Sequence, residues 1–190
     1  DACGLGDRDG NIYVYDLTTC ARTRLLQTQD AAGHCVALCA FGEFLVSGHQ
    51  DGRVRGWDPR DRDDRPAWAC SAHRSQMGAG AASCVAALSD TLLATCGADS
   101  EAAVWSLDKD EPLCRLRGHR ARLGGVAVHP FGKHVATTSF DHTWRLWDVT
   151  TAQELLLQDG HGSEAYGIAW HCDGSLVSTG DFNGLIAVWD

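Results

Sequence analysis

Apolar and polar residues alternate in short runs along the whole chain, and turn formers break the runs every few residues. After Asp141 the chain reads His-Thr-Trp-Arg-Leu-Trp, which puts Trp144 and Leu146 on one face of a strand and Arg145 and Trp147 on the other. After Asn183, Ile186 and Val188 take one face while Ala187 and Trp189 take the other. Turn sequences such as His129-Pro130-Phe131-Gly132 and Cys172-Asp173-Gly174 separate the runs. With no helical periodicity of useful length, the pattern predicts an all-β chain of short strands.

The runs also recur in register. An aromatic closes a strand at Tyr15, Trp57, Trp105, Trp147 and Trp189, at intervals of 42, 48, 42 and 42 residues. Six residues before each stands a turn-forming acid or amide: Asp9, Asp51, Asp99, Asp141 and Asn183. Twenty-one residues before the last four, Val36, Cys84, Val126 and Ile168 open a second apolar run. Three landmarks in constant register predict four strands per unit at the period of a β-propeller blade. The units are expected at approximately 1–28, 29–72, 73–118, 119–160 and 161–190 of a single domain. Counting strands gives two for the first unit and four for each of the others, eighteen in all. The long interval of 48 is explained by two extra residues in Asp58–Arg65 and four in Met77–Ser83, both read as loop insertions; the charged run is read as a solvated loop, with partner docking as its sharper alternative.

These landmarks resemble the WD40 family: Gly118-His119 precedes a first strand and Trp147-Asp148 closes a third, and Gly160-His161 and Trp189-Asp190 repeat the pair. The resemblance implies about four and a half blades, a fragment of a longer propeller, most simply a seven-bladed ring. A compact five-bladed ring is the alternative. The resemblance also implies a buried network of a loop His, a turn Asp, a strand Ser or Thr and the Trp, expected as His119, Asp141, Ser139 and Trp147. A closed network of this kind satisfies a buried carboxylate and a buried indole N–H together. The other units depart from it: His73, Asp99 and Trp105 with Gly97 at the Ser position; His161 and Trp189 with Asn183 for Asp and Asp181 at the Ser position; Asp51 and Trp57 alone. Gly33-His34 looks like the motif but stands five residues out of register, so His34 is not expected in a network.

Composition narrows the chemistry. A net charge of −9 argues against a general phosphate-binding surface, though a local basic patch is compatible with it. No apolar run approaches the roughly 20 residues of a membrane span, and no signal peptide is visible. Nine cysteines, without a CxxC pair, read as reduced thiols of an intracellular protein. Cys35 and Cys39 would share a strand face about 13 Å apart, too far to chelate one zinc ion; no metal or cofactor is expected. The Ser-His-Asp set recurs per blade without a nucleophile elbow, and Gly4-Leu5-Gly6 with Gly10 lacks dinucleotide-loop spacing, so no enzyme is expected.

Leu92 to Asp190 adds detail. WSLDKDEP (Trp105 to Pro112), TTSFDHTWRLWD (Thr137 to Asp148) and ELLLQDGH (Glu154 to His161) resemble the WD-repeat subunit of the U4/U6 small nuclear ribonucleoprotein, the pre-mRNA processing factor 4 family. Residues 1–91 are only generically WD40, and LVSGHQDGRVRGWD (Leu45 to Asp58) is similar to F-box-type propellers. The resemblance implies a nuclear, non-catalytic scaffold in pre-mRNA splicing, holding a Prp3-like snRNP subunit beside the U4/U6 RNA duplex, with no membrane and no small-molecule substrate. Alternatives are a ubiquitin-ligase substrate receptor, decided by an F-box segment upstream, and a G-protein-β-like signalling adaptor, decided by an N-terminal coiled coil. Partner contacts are expected at Arg120, Arg122, Phe140 and His142 in one blade and at Glu164, Tyr166 and Phe182 in the next. Exposed Phe and Arg suit an interface hot spot; inter-blade packing of the two phenylalanines and RNA phosphate contact by the arginines are the other readings.

Overall fold

The computed structural model describes residues 2–28, 33–61, 63–74, 81–89, 91–106, 109 and 111–190. Among them are eighteen strands and no helix, paired into five antiparallel sheets in chain order. The first sheet holds β1 (Ala2–Gly6), β2 (Ile12–Asp16) and β3 (Arg22–Leu26). The second holds β4 (Cys35–Phe41), β5 (Phe44–His49), β6 (Arg53–Trp57) and β7 (Trp68–Ser71); the third, β8 (Ala82–Ala87), β9 (Leu92–Gly97), β10 (Glu101–Ser106) and β11 (Cys114–Arg117). The fourth holds β12 (Leu123–Val128), β13 (His134–Ser139), β14 (Thr143–Asp148) and β15 (Gln153–Asp159), and the fifth β16 (Ala165–Trp170), β17 (Val177–Asp181) and β18 (Ile186–Trp189).

The total of eighteen matches the expected count, but its distribution does not. The sheets carry three, four, four, four and three strands, because β3 pairs with β2 before it. A sequence period groups each outermost strand with the three that follow; hydrogen bonding groups it with the three that precede.

The innermost strands β4, β8, β12 and β16 pack against one another in series, which sets the sheets radially as in a partial β-propeller. Apolar clusters fill the junctions between consecutive sheets, and the closing tryptophan of each of the second to fifth sheets plugs into the junction behind it. Trp57 packs with Ile12 and Leu26, and Trp105 with Phe41, Val46 and Val54. Trp147 joins Ala94, Val104 and Leu116, and Trp189 packs beside Ala136 and Trp144. A buried tryptophan removes roughly 200 Å² from water at about 25 cal/mol per Å², on the order of 5 kcal/mol before conformational entropy is set against it. Alternation decides which neighbour each side chain meets: Trp144 and Leu146 of β14 face the fifth sheet, and Trp147 faces the third. Ile186 and Val188 lie on the opposite face of β18 from Trp189 and are 74% and 63% exposed.

Two local features position the surface described below. Each of β4, β8, β12 and β16 carries a bulge near its start, at Val36, Ser83, Gly124 and Tyr166; a bulge re-aims the side chain of its extra residue. The charged run after Trp57 is a strap rather than a free loop. Arg24 of β3 bonds the Asp64 carboxylate at 2.8 Å and the Pro59 carbonyl at 2.7 Å, tying the second sheet back to the first. The insertion placed in Met77–Ser83 falls mostly at 77–80, outside the described residues.

Candidate interaction surface

Buried networks hold the loops that carry the surface. In the fourth sheet Trp147 Nε1 donates to Thr137 Oγ1 at 2.8 Å, and His119 Nε2 meets the same hydroxyl at 2.8 Å. His119 Nδ1 in turn meets Asp141 Oδ2 at 2.9 Å. The chain is consistent in one direction only: indole N–H to hydroxyl, hydroxyl to a bare Nε2, and Nδ1–H to the carboxylate. Burial lowers the His119 pKa despite Asp141, which keeps the ring neutral as this relay requires. Burial raises the Asp141 carboxyl, but hydrogen bonds from Thr143 Oγ1, Arg120 N–H and His119 outweigh it and hold the pKa well below the usual carboxylate range.

The strand hydroxyl is therefore Thr137, and Ser139 is not a member. Trp147 pairs directly with Val135, so Thr137 is the diagonal neighbour two residues along the same face. Ser139 is four residues along, about 13 Å away, beyond the reach of an indole N–H. It closes the turn instead, donating to the Ala121 and Arg122 carbonyls at 3.0 and 3.1 Å.

The same diagonal recurs in three other sheets. In the third, Trp105 and His73 Nε2 both meet Thr95 Oγ1 at 2.9 Å, and His73 Nδ1 meets Asp99 at 2.9 Å. Gly97 is no gap in this network, because a Cβ there would lie 2.3 Å from His73 Cγ. In the fifth, Trp189 and His161 meet Thr179 Oγ1 at 2.8 and 2.6 Å. Its carboxylate is Asp181, 3.4 Å from His161 Nδ1; Asn183 is exposed and donates only its backbone N–H to Asp181. In the second, Trp57 donates to Ser47 Oγ at 2.8 Å, and the histidine is His49 of β5. Asp51 turns away to the buried Arg55 guanidinium at 2.6 Å. His34 is exposed, with its carbonyl accepting from Gln50 N–H.

Above these networks, in the second to fifth sheets, the turn joining the second and third strands bonds the loop that enters the first strand. Gln50 N–H donates to His34 O, Ala98 to Ala81 O, Phe140 to Arg122 O and Phe182 to Glu164 O, at 2.9 to 3.1 Å. One bond therefore presents four different side chains on the same face: Gln50, Ala98, Phe140 and Phe182. The two phenylalanines meet across the junction of the fourth and fifth sheets, ring centroids 5.4 Å apart at 82°. Tyr166, the bulged residue of β16, lies 5.3 Å from Phe182 and 6.4 Å from Phe140. It can be there because Gly124 and Gly125 of β12 let β16 approach; a Cβ on Gly124 would stand 2.7 Å from Ala165 O, and one on Gly125 2.8 Å from Tyr166 O.

Arg122 covers the other side of the cluster, with its guanidinium carbon 4.1 Å from the Phe140 centroid. Phe182 is 59% and Tyr166 48% exposed, while Phe140 is half-buried. Phe140 and Phe182 thus pack between blades and still face solvent. His142 follows Asp141 at φ 71°, a left-handed position that Gly52 and Gly184 fill in the second and fifth sheets. Its imidazole stands near Glu164, whose pKa is lowered first by a hydrogen bond from Ser163 and also by His142. Arg120 is exposed, and its N–H caps Asp141 at 2.9 Å. The entering loops, the turns and the β16 bulge of the fourth and fifth sheets therefore carry all seven residues expected at a partner surface.

The cysteines take no part. Cys35, Cys39, Cys84 and Cys96 lie in the inner strands, and burial pushes their thiols up, Cys35 to about 11 and Cys39 to about 12. Among the described residues no cluster of three or more metal-ligating side chains is present.

Radial antiparallel sheets, each built round a closing tryptophan, a diagonal hydroxyl and an imidazole, define a partial β-propeller of the repeat type. The WD domain, G-beta repeat family matches residues 25–58, 110–148 and 153–190, more than half of the chain, and the chain belongs to that family. It is 46% identical over 48 residues to an uncharacterized WD repeat-containing protein of Schizosaccharomyces pombe, covering 25% of this chain and 10% of the relative. It is 27% identical over 163 residues to the chromatin assembly factor 1 subunit FAS2 homolog of Oryza sativa subsp. japonica, covering 76% of this chain and 30% of the relative. The chain thus spans less than a third of either relative's length.

Proposed function

We propose that the chain is part of a non-catalytic scaffold that presents Arg122, Phe140, Tyr166 and Phe182 to a protein partner within a nuclear assembly. The observation that carries this is the aromatic cluster itself: three rings and a stacked guanidinium astride two sheets, where the same turns elsewhere bear Gln50 and Ala98. Aromatic residues with arginine at a desolvatable centre are what interface hot spots are made of.

The assembly we favour is the U4/U6 small nuclear ribonucleoprotein, with a Prp3-like subunit as the partner; the resemblance of residues 92–190 supports it. A chromatin-related assembly is the second reading, supported by the name of the rice relative and its coverage of 76% of the chain. Affinity purification of the full-length protein separates them. Recovery of U4/U6 RNA with tri-snRNP proteins is the expected result, recovery of histones and chromatin assembly subunits favours the second reading, and recovery of cullin-ligase subunits overturns both. Phe182→Ala, at an exposed position, should deplete the direct partner without lowering the melting temperature; undiminished recovery removes this surface from the proposal.

A further inference from the structure

We infer that this surface takes an acidic peptide segment with one apolar anchor, its carboxylate held by Arg122 and Arg120 and its apolar side chain laid on Phe182 and Tyr166. The inference rests on the reading of the surface as a partner site and adds the chemistry of the partner. Its first support is the state of the arginines. Arg24, Arg55, Arg60, Arg115, Arg117 and Arg145 each hold a carboxylate within the chain. Arg120 and Arg122 are exposed and hold none among the described residues, as is also true of Arg8, Arg22, Arg65 and Arg74; what distinguishes Arg122 is its place over the Phe140 ring at 4.1 Å. In a chain of net charge −9, the Arg122 guanidinium over the Phe140 ring puts a cation with no carboxylate among the described residues beside an apolar cluster.

The second support is preorganisation. Stacked 4.1 Å from the Phe140 centroid, Arg122 keeps the N–H groups of its rim free for a carboxylate, and less rotamer freedom is left to lose on binding. The third is the packing of the rings. Centroids 5.3 to 6.4 Å apart leave no gap between rings for a quaternary ammonium, so the cluster offers its outer apolar face rather than a cage. A lysine-rich segment would meet like charge. A nucleic-acid strand would find two cations where it needs a track of them.

The test is fluorescence anisotropy of the full-length protein with four labelled ligands: octapeptides with a central Trp flanked by Glu, by Lys or by Ser, and a uridine-rich 12-mer RNA. The Glu-flanked peptide should bind at least about tenfold more tightly than the other three, and Arg122→Glu and Phe182→Ala should each weaken it about tenfold. Melting temperatures of both variants check that they fold. Equal or tighter binding of the Lys-flanked peptide or the RNA, no binding of the Glu-flanked peptide, or indifference to Arg122→Glu overturns the inference. If one of those results is found while Phe182→Ala still depletes the cellular partner, the partner chemistry falls and the scaffold reading stands. If Phe182→Ala leaves partner recovery unchanged, the scaffold reading falls with it.

Discussion

The second and fourth sheets bury the same tryptophan in the same place and complete its surroundings with different residues. In the fourth, the histidine arrives from the entering loop and the relay ends on the ionised Asp141. In the second, His49 comes from within β5, its Nε2 2.8 Å from Ser47 Oγ, and its buried Nδ1 has no well-formed hydrogen bond among the described residues, with the Gly33 backbone near it. Asp51 is meanwhile committed to Arg55. What both sheets keep is the hydroxyl on the diagonal from the indole. The imidazole can move along the sequence, and the carboxylate can change partner, as long as that oxygen accepts the indole N–H. The same two sheets differ above: Gln50 over the second, and Phe140 beneath Arg122 over the fourth. Conservative burial below and divergent side chains above are what a scaffold needs to be rigid and selective at once.

The largest effect should follow removal of that oxygen. Thr137→Val keeps the volume but strands Trp147 Nε1–H and breaks the bond to His119, and should cost about 3 kcal/mol in chemical denaturation, with two buried polar groups affected. Ser139→Ala, which loses only turn bonds, should cost about 1 kcal/mol; a larger loss there than at Thr137 would refute the assignment. Next comes Gly97→Ala in the third sheet. Ser139 stands at the matching place beside His119, so the cost is that of shifting His73, about 1–2 kcal/mol.

Acid should separate the second sheet from the fourth. Burial depresses the His49 pKa to about 4, helped by the Arg55 charge and opposed by Asp51. A histidine whose folded pKa lies below its unfolded value of about 6.5 stabilises the fold above pH 6.5, and that contribution is lost as the pH falls toward 4. Asp141 acts in a lower window, because its depressed pKa means stability is lost only as the pH drops below the ordinary carboxylate range. His49→Gln should therefore flatten the pH dependence of stability between 6.5 and 4 by about 1 kcal/mol, after solvent screening is allowed for. In NMR, the His49 ring should titrate near pH 4. An unchanged slope in the variant would show that His49 titrates alike in the folded and unfolded chain, and would overturn the depressed pKa.

Much of this was readable from residue order, in proportion to how local each feature is. The closing aromatics and turn acids recur because a blade's second and third strands are a hairpin of fixed length, so their spacing survives. The diagonal hydroxyl was also there to be found: Ser47, Thr95, Thr137 and Thr179 each stand ten residues before a closing tryptophan. Ser139 obscured it by standing two residues further on the same face. The roles of His49 and Asp181 were not readable, because each does its work from the place of the turn serine, where composition alone suggests a substitution rather than a replacement. At the surface, Phe140 and Phe182 are one period apart and could be paired by counting. Tyr166 joins them only through the β16 bulge and the close approach at Gly124, which depend on contact between sheets.

The smallest effect tests the subtlest of these replacements. The fifth sheet has Asn183 at the place of Asp141, and repeat logic alone would make Asn183→Asp a repair. The structure argues otherwise, because Asp181 already meets His161 Nδ1 and accepts from the Asn183 and Leu185 N–H groups at 3.0 Å. A second carboxylate would stand exposed beside the first and add mild repulsion without a free partner to bond. Asn183→Asp should therefore change stability by less than about 0.5 kcal/mol. Asp181→Asn, which removes the charge from a 3.4 Å contact, should cost about 1 kcal/mol by the same denaturant midpoint. A clear gain from Asn183→Asp would mean that His161 prefers the turn carboxylate, and that the fifth sheet is an incomplete copy of the fourth rather than a different solution to the same burial.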